Sequence, residues 1–444
     1  MTRHSITAFG EPLGVDSQKV VNEVRLRINQ PIHPNFDSDF NIYRFVLNAE
    51  RGHNRKDVIE NAAKALNQHL RLRKCLRLDE LPDVAFDDNP LFKRRLLPCG
   101  KIESNTDNAN RLLWFIEYET ISVEYIAHGM KSSEACRYQF MQFEHMLRRV
   151  NQQEAATGKL SSLRHVVDMN NYEINPFTML FVSSGTLSYY SQLFHYENYP
   201  ELVYPIEFVN IAKWIHVPYK LIKAMMPAGF GERFRLHDGH FLPTLSSEIN
   251  VEHIPTTLGG TDPERKCTPA EKLAPADYWK PPKLEIIEAL ETLHVSARRL
   301  KYFRIDVDHV PKTLSWYFTT DGDVYFGVYF EPYNSQNKAN GGKHEKEDLH
   351  FDSMEMVYPF LKLTAKLVHE FDAIQCTRPG TYYVVFSNKH SWVKSRSVDL
   401  LIQLSGEEAQ TKRCRQDGTL EVEANDNLHI VKHLKLEPHP ISSE

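Results

Sequence analysis

A chain of 444 residues with 41% apolar and 11% aromatic side chains is long enough for two or three domains, each with its own core. A formal charge of -5 gives no general nucleic-acid signal. The six cysteines (Cys75, Cys99, Cys136, Cys267, Cys376 and Cys414) pair at no short metal-site spacing and suggest no disulfide framework, so they read as thiols of a reducing compartment. Residues 1–14 contain no apolar leader core, and no run reaches the roughly 18 apolar residues of a spanning helix. The expectation is a cytoplasmic protein whose membrane contact is peripheral.

Residues 17–80 read as helical. Val20, Val21, Val24, Leu26 and Ile28 give a short apolar face that Pro31 and Pro34 stop. Asp37 or Ser38 caps the next helix, which carries Phe40, Ile42, Tyr43, Phe45, Val46 and Leu47. A third helix begins near Arg55 with Val58, Ala62, Ala65, Leu66 and Leu70. It ends in Arg71, Arg73, Lys74 and Arg77, cations that suit a helix C-terminus and read as a solvated charge run or a membrane-facing one.

From about residue 110 strands alternate with helices: strands at 112–118 and 163–169, an amphipathic helix at 132–150, and a crossover helix at 177–196. A strand at 202–210 contains Pro205, which argues for an edge or a bulge. A helix at 215–226 and a strand at 233–237 complete an α/β unit built from crossovers. A Pro- and charge-rich boundary at 262–284 precedes β texture at 299–307, 313–319, 324–330, 380–387 and 396–404. Asp321-Gly322 is a hairpin signal, 334–348 reads as a long exposed loop, and the whole tail reads as an all-β sandwich. Within it, alternation places Trp316 and Phe318 on one face, read as core, and Tyr325 and Tyr329 together on another. Lys362, Lys366, Lys389, Lys394 and Arg396 read as scattered charge.

Several of these segments resemble the CRAL-TRIO (Sec14-like) family. The run from Asp39 through Arg44 to Leu47 is similar to its helical bundle, and Val166-Val167-Asp168 to a strand that ends on aspartate. Tyr199-Pro200-Glu201, then Phe208-Val209-Asn210, then Ile254-Pro255 with Gly259-Gly260 follow the family's order over about 60 residues. The chain departs from the family at Lys223-Ala224-Met225-Met226, where Lys-Pro-Phe-Leu is usual, and at Leu258, where Tyr precedes the two glycines. The tail resembles a GOLD domain through residues 314–318, 321–328 and 380–388. The pairing of the two is similar to animal Sec14-like proteins of the supernatant protein factor and tocopherol-associated type.

The fold class implied is an α/β lipid-binding domain with an N-terminal helical bundle, followed by an all-β sandwich. The boundaries are 1–80 for the bundle, 81–265 for the CRAL-TRIO-like domain, 266–284 for a linker and 285–440 for the GOLD-like sandwich. The resemblance implies binding, transfer or presentation of one hydrophobic lipid at membranes, with no cofactor beyond that lipid. The alternative is a lipid-sensing adaptor whose GOLD-like domain binds a protein. The expected ligand-binding residues are Glu201, Val217, Leu221, Met225, Met226 and Arg233.

The chemistry of these residues fits that expectation. The helix at 215–226 is apolar on a broad face, with Lys220 and Lys223 between its apolar positions, as a gate over a greasy pocket would be. Methionines adapt to several ligand shapes. Arg233 can fork onto a phosphate and Glu201 can orient a cation or accept from a hydroxyl, unless the two simply pair with each other. Arg44 reads as a surface charge. Catalysis is weakly supported, and an enzyme of the α/β class is the third and weakest option. The 21 histidines include no His-Glu-x-x-His, and His237 and His240 read as solvated loop residues rather than metal ligands. Ser183-Ser184-Gly185 lacks a nucleophile-elbow pattern, and Cys136 reads as buried.

Overall fold

The computed structural model describes residues 6–51, 57–172, 198–212, 233–237, 239–264, 266–282, 284–333, 349–406 and 410–441. The bundle consists of α1 (Val15–Arg25), α2 (Asp39–Arg51) and α3 (Val58–Leu76). Its apolar stripes meet as the periodicity requires: Val20, Val21 and Val24 of α1, Ile42, Phe45 and Val46 of α2, and Ala62, Leu66 and Leu70 of α3 share one core. Leu26 lies outside it and is exposed, because α1 ends at Arg25. Two short helices, α4 (Pro90–Lys93) and α5 (Val123–Gly129), precede the long α6 (Ser132–Thr157). The sequence reading stopped α6 at its last apolar residue, Val150; good helix formers carry it on to Gly158, which takes the left-handed cap conformation.

Among the described residues, a five-stranded sheet runs in the order β2 (Ile102–Thr106), β3 (Leu112–Glu117), β4 (Leu163–Asp168), β5 (Val203–Val209) and β6 (Phe234–Leu236). β3 to β6 are parallel and β2 is antiparallel to β3. Alternate residues of β3 enter different cores: Leu112, Trp114 and Ile116 face α6 and the bundle core, Leu113 and Phe115 the opposite layer with Phe241, Leu245 and Ile254. Pro205 does not place β5 at an edge, since β4 and β6 flank it. It sits in a bulge instead: Leu163 pairs with Val203 but His165 with Ile206, one extra residue on the β5 side. The helices expected at 177–196 and 215–226 lie outside the described residues.

The segment 266–284 is not wholly a linker. β7 (Cys267–Thr268) pairs with β1 (Cys99–Gly100) and so belongs to the α/β unit. Beyond it come β8 (Glu291–Val295), β9 (Leu300–Val307), β10 (Lys312–Thr320), β11 (Val324–Pro332), β12 (Glu355–Leu363), β13 (Glu370–Cys376), β14 (Gly380–Ser387), β15 (Arg396–Gly406), β16 (Thr411–Cys414), β17 (Leu420–Val422) and β18 (His439–Pro440). One sheet holds β17-β16-β15-β10-β13-β18 with β8 beside β15, the other β12-β11-β14-β9. Asp321-Gly322 therefore joins strands of opposite sheets and makes no hairpin, because both edges of β10 are already taken by β13 and β15. Trp316 and Phe318 fill the space between sheets, with Phe326 at 5.2 and 4.9 Å. Tyr325 and Tyr329 point the other way, out of the sandwich core, where Phe360 stacks on Tyr325 and Phe351 packs on Tyr329.

Candidate functional site

The Tyr199-Pro200-Glu201 turn joins the bundle to the sheet. Tyr199 is buried, stacked on Phe143 at 5.1 Å and edge-on to His69 at 5.2 Å. Its hydroxyl donates to Glu144, which also takes Arg73 Nη1 at 2.6 Å. Burial and the neighbouring carboxylate push the phenol well above its ordinary range. Glu201 is fully buried at a left-handed φ of 58°. Its Oε1 accepts from Arg233 Nη2 at 2.7 Å, and its Oε2 meets Arg51 Nη1 at 2.8 Å. Arg233 also donates to Asn48 at 3.2 Å.

The structure thus brings Glu201 and Arg233 together as an ion pair and adds Asn48 and Arg51, which the sequence reading missed. Their signal was available: they lie three residues apart on α2 and so share a face. One carboxylate thus bridges two guanidiniums, Arg233 and Arg51. Val217, Leu221, Met225 and Met226, with Lys220 and Lys223, lie outside the described residues, as does the cavity expected beneath them.

Other expectations are corrected. Arg44 is not a surface charge: it is buried and donates to Glu154 and to the Ser161 carbonyl at 2.9 Å, tying α2 to the end of α6. The basic end of α3 is a solvated run only in part: Lys74 and Arg77 are exposed, but Arg71 and Arg73 are covered. Arg73 is buried between Glu144 and Asp79, and Arg71 donates to the Phe351 and Met354 carbonyls at 3.0 and 2.7 Å. Lys74 and Arg77 approach Glu355 and Glu80. His237 is no solvated loop residue; its Nε2 lies 2.6 Å from Glu207. Among the described residues, no cluster of three or more His, Cys, Asp or Glu could hold a metal. Cys136 is buried, and burial pushes its thiol up to about 12.

Glu207 anchors a charge network on the sheet face away from α6. Arg164, fully buried on β4, donates to Glu207, to Asp107 at 3.1 Å and to Glu248 at 2.6 Å. Arg235 on β6 reaches Glu207 at 3.1 Å and Glu248 at 3.0 Å. Burial opposes ionisation of both glutamates, but these partners outweigh it and hold Glu207 and Glu248 below the ordinary carboxylate range. Asp168 closes the strand ends by accepting from Asn210 at 2.8 Å. At the return of the chain, Gly260 has no room for a side chain: a Cβ would meet the Ile254 carbonyl at 2.0 Å.

A cavity of about 800 Å³ lies where α3 meets the outer face of the four-stranded sheet, and Asn48, the partner of Arg233, and Asn198 line one side of it. Leu72, Tyr325, Tyr329, Phe351 and Phe360 supply apolar wall, and Arg71 and Lys389 supply charge. Its size is that of a small-molecule site.

Comparison with known proteins assigns these parts. Residues 102–260 match the CRAL/TRIO domain, 13–81 a domain of unknown function (DUF8435), and 277–412 the C-terminal domain model F28H7_8_C. CRAL-TRIO domain-containing protein F28H7.8 of Caenorhabditis elegans is 23% identical over 385 residues, covering 86% of this chain and 89% of the relative. Protein ctg-1 of the same organism is 20% identical over 355 residues, covering 78% and 87%. The crystal structure of Sfh5 covers 52% of this chain and 84% of its own, at 16% identity and a TM-score of 0.35. The chain carries a CRAL/TRIO domain followed by a C-terminal extension.

Proposed function

We propose that this protein binds one hydrophobic lipid and transfers or presents it at membranes, with no bond made or broken. The reading is carried by the CRAL/TRIO match over 102–260, coinciding with a parallel sheet that ends at the Glu201–Arg233 pair. In this reading Val217, Leu221, Met225 and Met226 shelter the apolar part of the ligand, each buried methylene contributing about 0.8 kcal/mol. Glu201 and Arg233, with Arg51, choose the head group. Lys220 and Lys223 meet the bilayer, and the association with it is peripheral. The lipid is the only ligand required, and the sandwich is GOLD-like.

Lipid extraction and native mass spectrometry of the purified protein, with lipid exchange between donor and acceptor vesicles, test this directly. Protein without bound lipid and without exchange would overturn it. Arg233→Ala should lower uptake of a phosphorylated lipid about tenfold, the loss of one charge-assisted contact, and leave a neutral hydrophobic ligand unchanged. Equal losses for both with a large drop in Tm would reduce Arg233 to a structural partner of Glu201. The second reading is a lipid-sensing adaptor whose sandwich binds a protein. An adaptor would bind lipid without exchanging it.

A further inference from the structure

Among the described residues, exposed large apolar side chains are scattered singly except at one place, Trp392 and Val393, which are 78% and 87% exposed. Single exposed apolar residues are ordinary, but an adjacent pair calls for a reason. The pair sits at the tip of the loop joining β14 to β15. We propose that this tip contacts membranes: Trp392 and Val393 enter the interfacial zone of an anionic bilayer while Arg298, Arg299, Lys389 and Lys394 meet its phosphates. The inference deepens the carrier reading and rests on it, by naming the surface that meets the lipid donor or acceptor.

Two observations select a bilayer as the occupant. The first is charge. Arg298, Arg299, Lys389 and Lys394 are all exposed, and no acidic residue occurs in 292–305 or in 388–398, the two stretches that build the tip. The neighbouring β10–β11 turn brings Asp321 and Asp323, and Asp323 is buried against Lys362 at 3.3 Å. Arg298 lies over the Trp392 ring at 4.3 Å, so cation and indole share one level, as they do at the head-group boundary of a bilayer. The second is rigidity. Arg298 N donates to the Asn388 and Ser391 carbonyls at 3.1 and 3.2 Å, and Asn388 N donates to the Arg299 carbonyl at 2.8 Å. The buried Asn388 amide reaches the Val295 and Lys394 carbonyls at 3.1 and 2.9 Å, and Ser391 Oγ caps the turn on Lys394. The loop is braced in a form that holds Trp392 and Val393 outward, so insertion needs little further ordering.

The experiment uses the full chain and phosphatidylcholine vesicles with and without phosphatidylserine. Wild type should pellet with the anionic vesicles, less so in high salt. Trp392→Ser with Val393→Ser should weaken pelleting roughly tenfold or more, and Lys389→Ala and Lys394→Ala about fivefold each. All should keep the wild-type Tm, since the altered side chains are exposed. Brominated acyl chains should quench tryptophan emission of the wild type, and Trp392→Phe, which still binds, should lose that quenching. Unchanged pelleting of the double variant, quenching that persists in Trp392→Phe, or a wild type that ignores anionic vesicles overturns the proposal. So does loss of a protein partner, with vesicle binding intact, in the double variant. Lipid content by mass spectrometry judges the carrier reading separately, so the two can fail independently.

Discussion

The central sheet and the β-sandwich bury their interiors by opposite chemistry. Behind the parallel sheet, Arg164 and Glu207 are fully buried and bound to Asp107, Glu248, Arg235 and His237. Between the sandwich sheets, Trp316, Phe318, Phe326 and Phe386 pack ring against ring, and the carboxylates that join their face, Asp372 and Glu370 on β13, bond to Arg137, His439, Ser132 and Ser133 rather than to one another. A charge network has few acceptable arrangements and fails abruptly when one member is removed; an aromatic core yields in proportion to the volume lost.

The largest effect should come from breaking the network. Arg164→Ala strands two or three buried carboxylates and should cost about 3–5 kcal/mol in urea unfolding. A loss under 1 kcal/mol would mean that water reaches Glu207 and the contrast is false. Acid should act next. Glu207 and Glu248 are held below their ordinary 4.5, so their contribution is present above that pH and is lost as pH falls below it. Asp372, held down to about 2 by His439 and Arg137 against its burial, is lost between its ordinary 3.8 and about 2. A Tm profile from pH 7 to about 2 should therefore descend below 4.5, and Asp372→Asn should shrink the part of the descent between 3.8 and about 2.

Glu370 runs the other way. Burial raises its carboxyl, so its contribution is full below the ordinary 4.5 and is lost as pH rises through its folded value. Glu370→Gln should cost about 1 kcal/mol of hydrogen bonding and flatten the profile above pH 4.5. A profile unchanged in slope would sink this assignment. On the aromatic side the loss should be graded and of similar size: Ile402→Val, beside Trp316, should cost about 0.5–1.5 kcal/mol.

The same contrast decides what could be read from the sequence. The three bundle helices, β3, β4 and the aromatic strands β10, β11 and β14 were legible because burial imposes a local period on each. Pro205 points to an edge or a bulge, and the structure selects the bulge, which absorbs the proline inside the sheet. Strands β12 and β13 went unread, since charges and Pro359 interrupt their pattern. Nothing local in the sequence marks Arg44, Arg71, Arg73 and His237 as paired, because their partners, from Glu154 to the Met354 carbonyl, are distant in sequence or on another element. The Glu201–Arg233 pairing was foreseen as one of two outcomes, while Arg51 and Asn48 were not noticed. The tip at Trp392 was visible as an apolar pair between lysines but was counted only as scattered charge.

One contact has mechanical consequences. Glu370 on β13 accepts from Ser132 Oγ, Ser133 N and Ser133 Oγ at 2.7, 2.9 and 2.6 Å, capping the start of α6 from another domain. At the far end of the same helix Glu154 holds Arg44 of α2. α6, at 26 residues roughly 39 Å long, is thus a strut pinned to the sandwich at one end and to the bundle at the other. Displacing the sandwich therefore displaces α6, whose Glu144 holds Tyr199, two residues before Glu201.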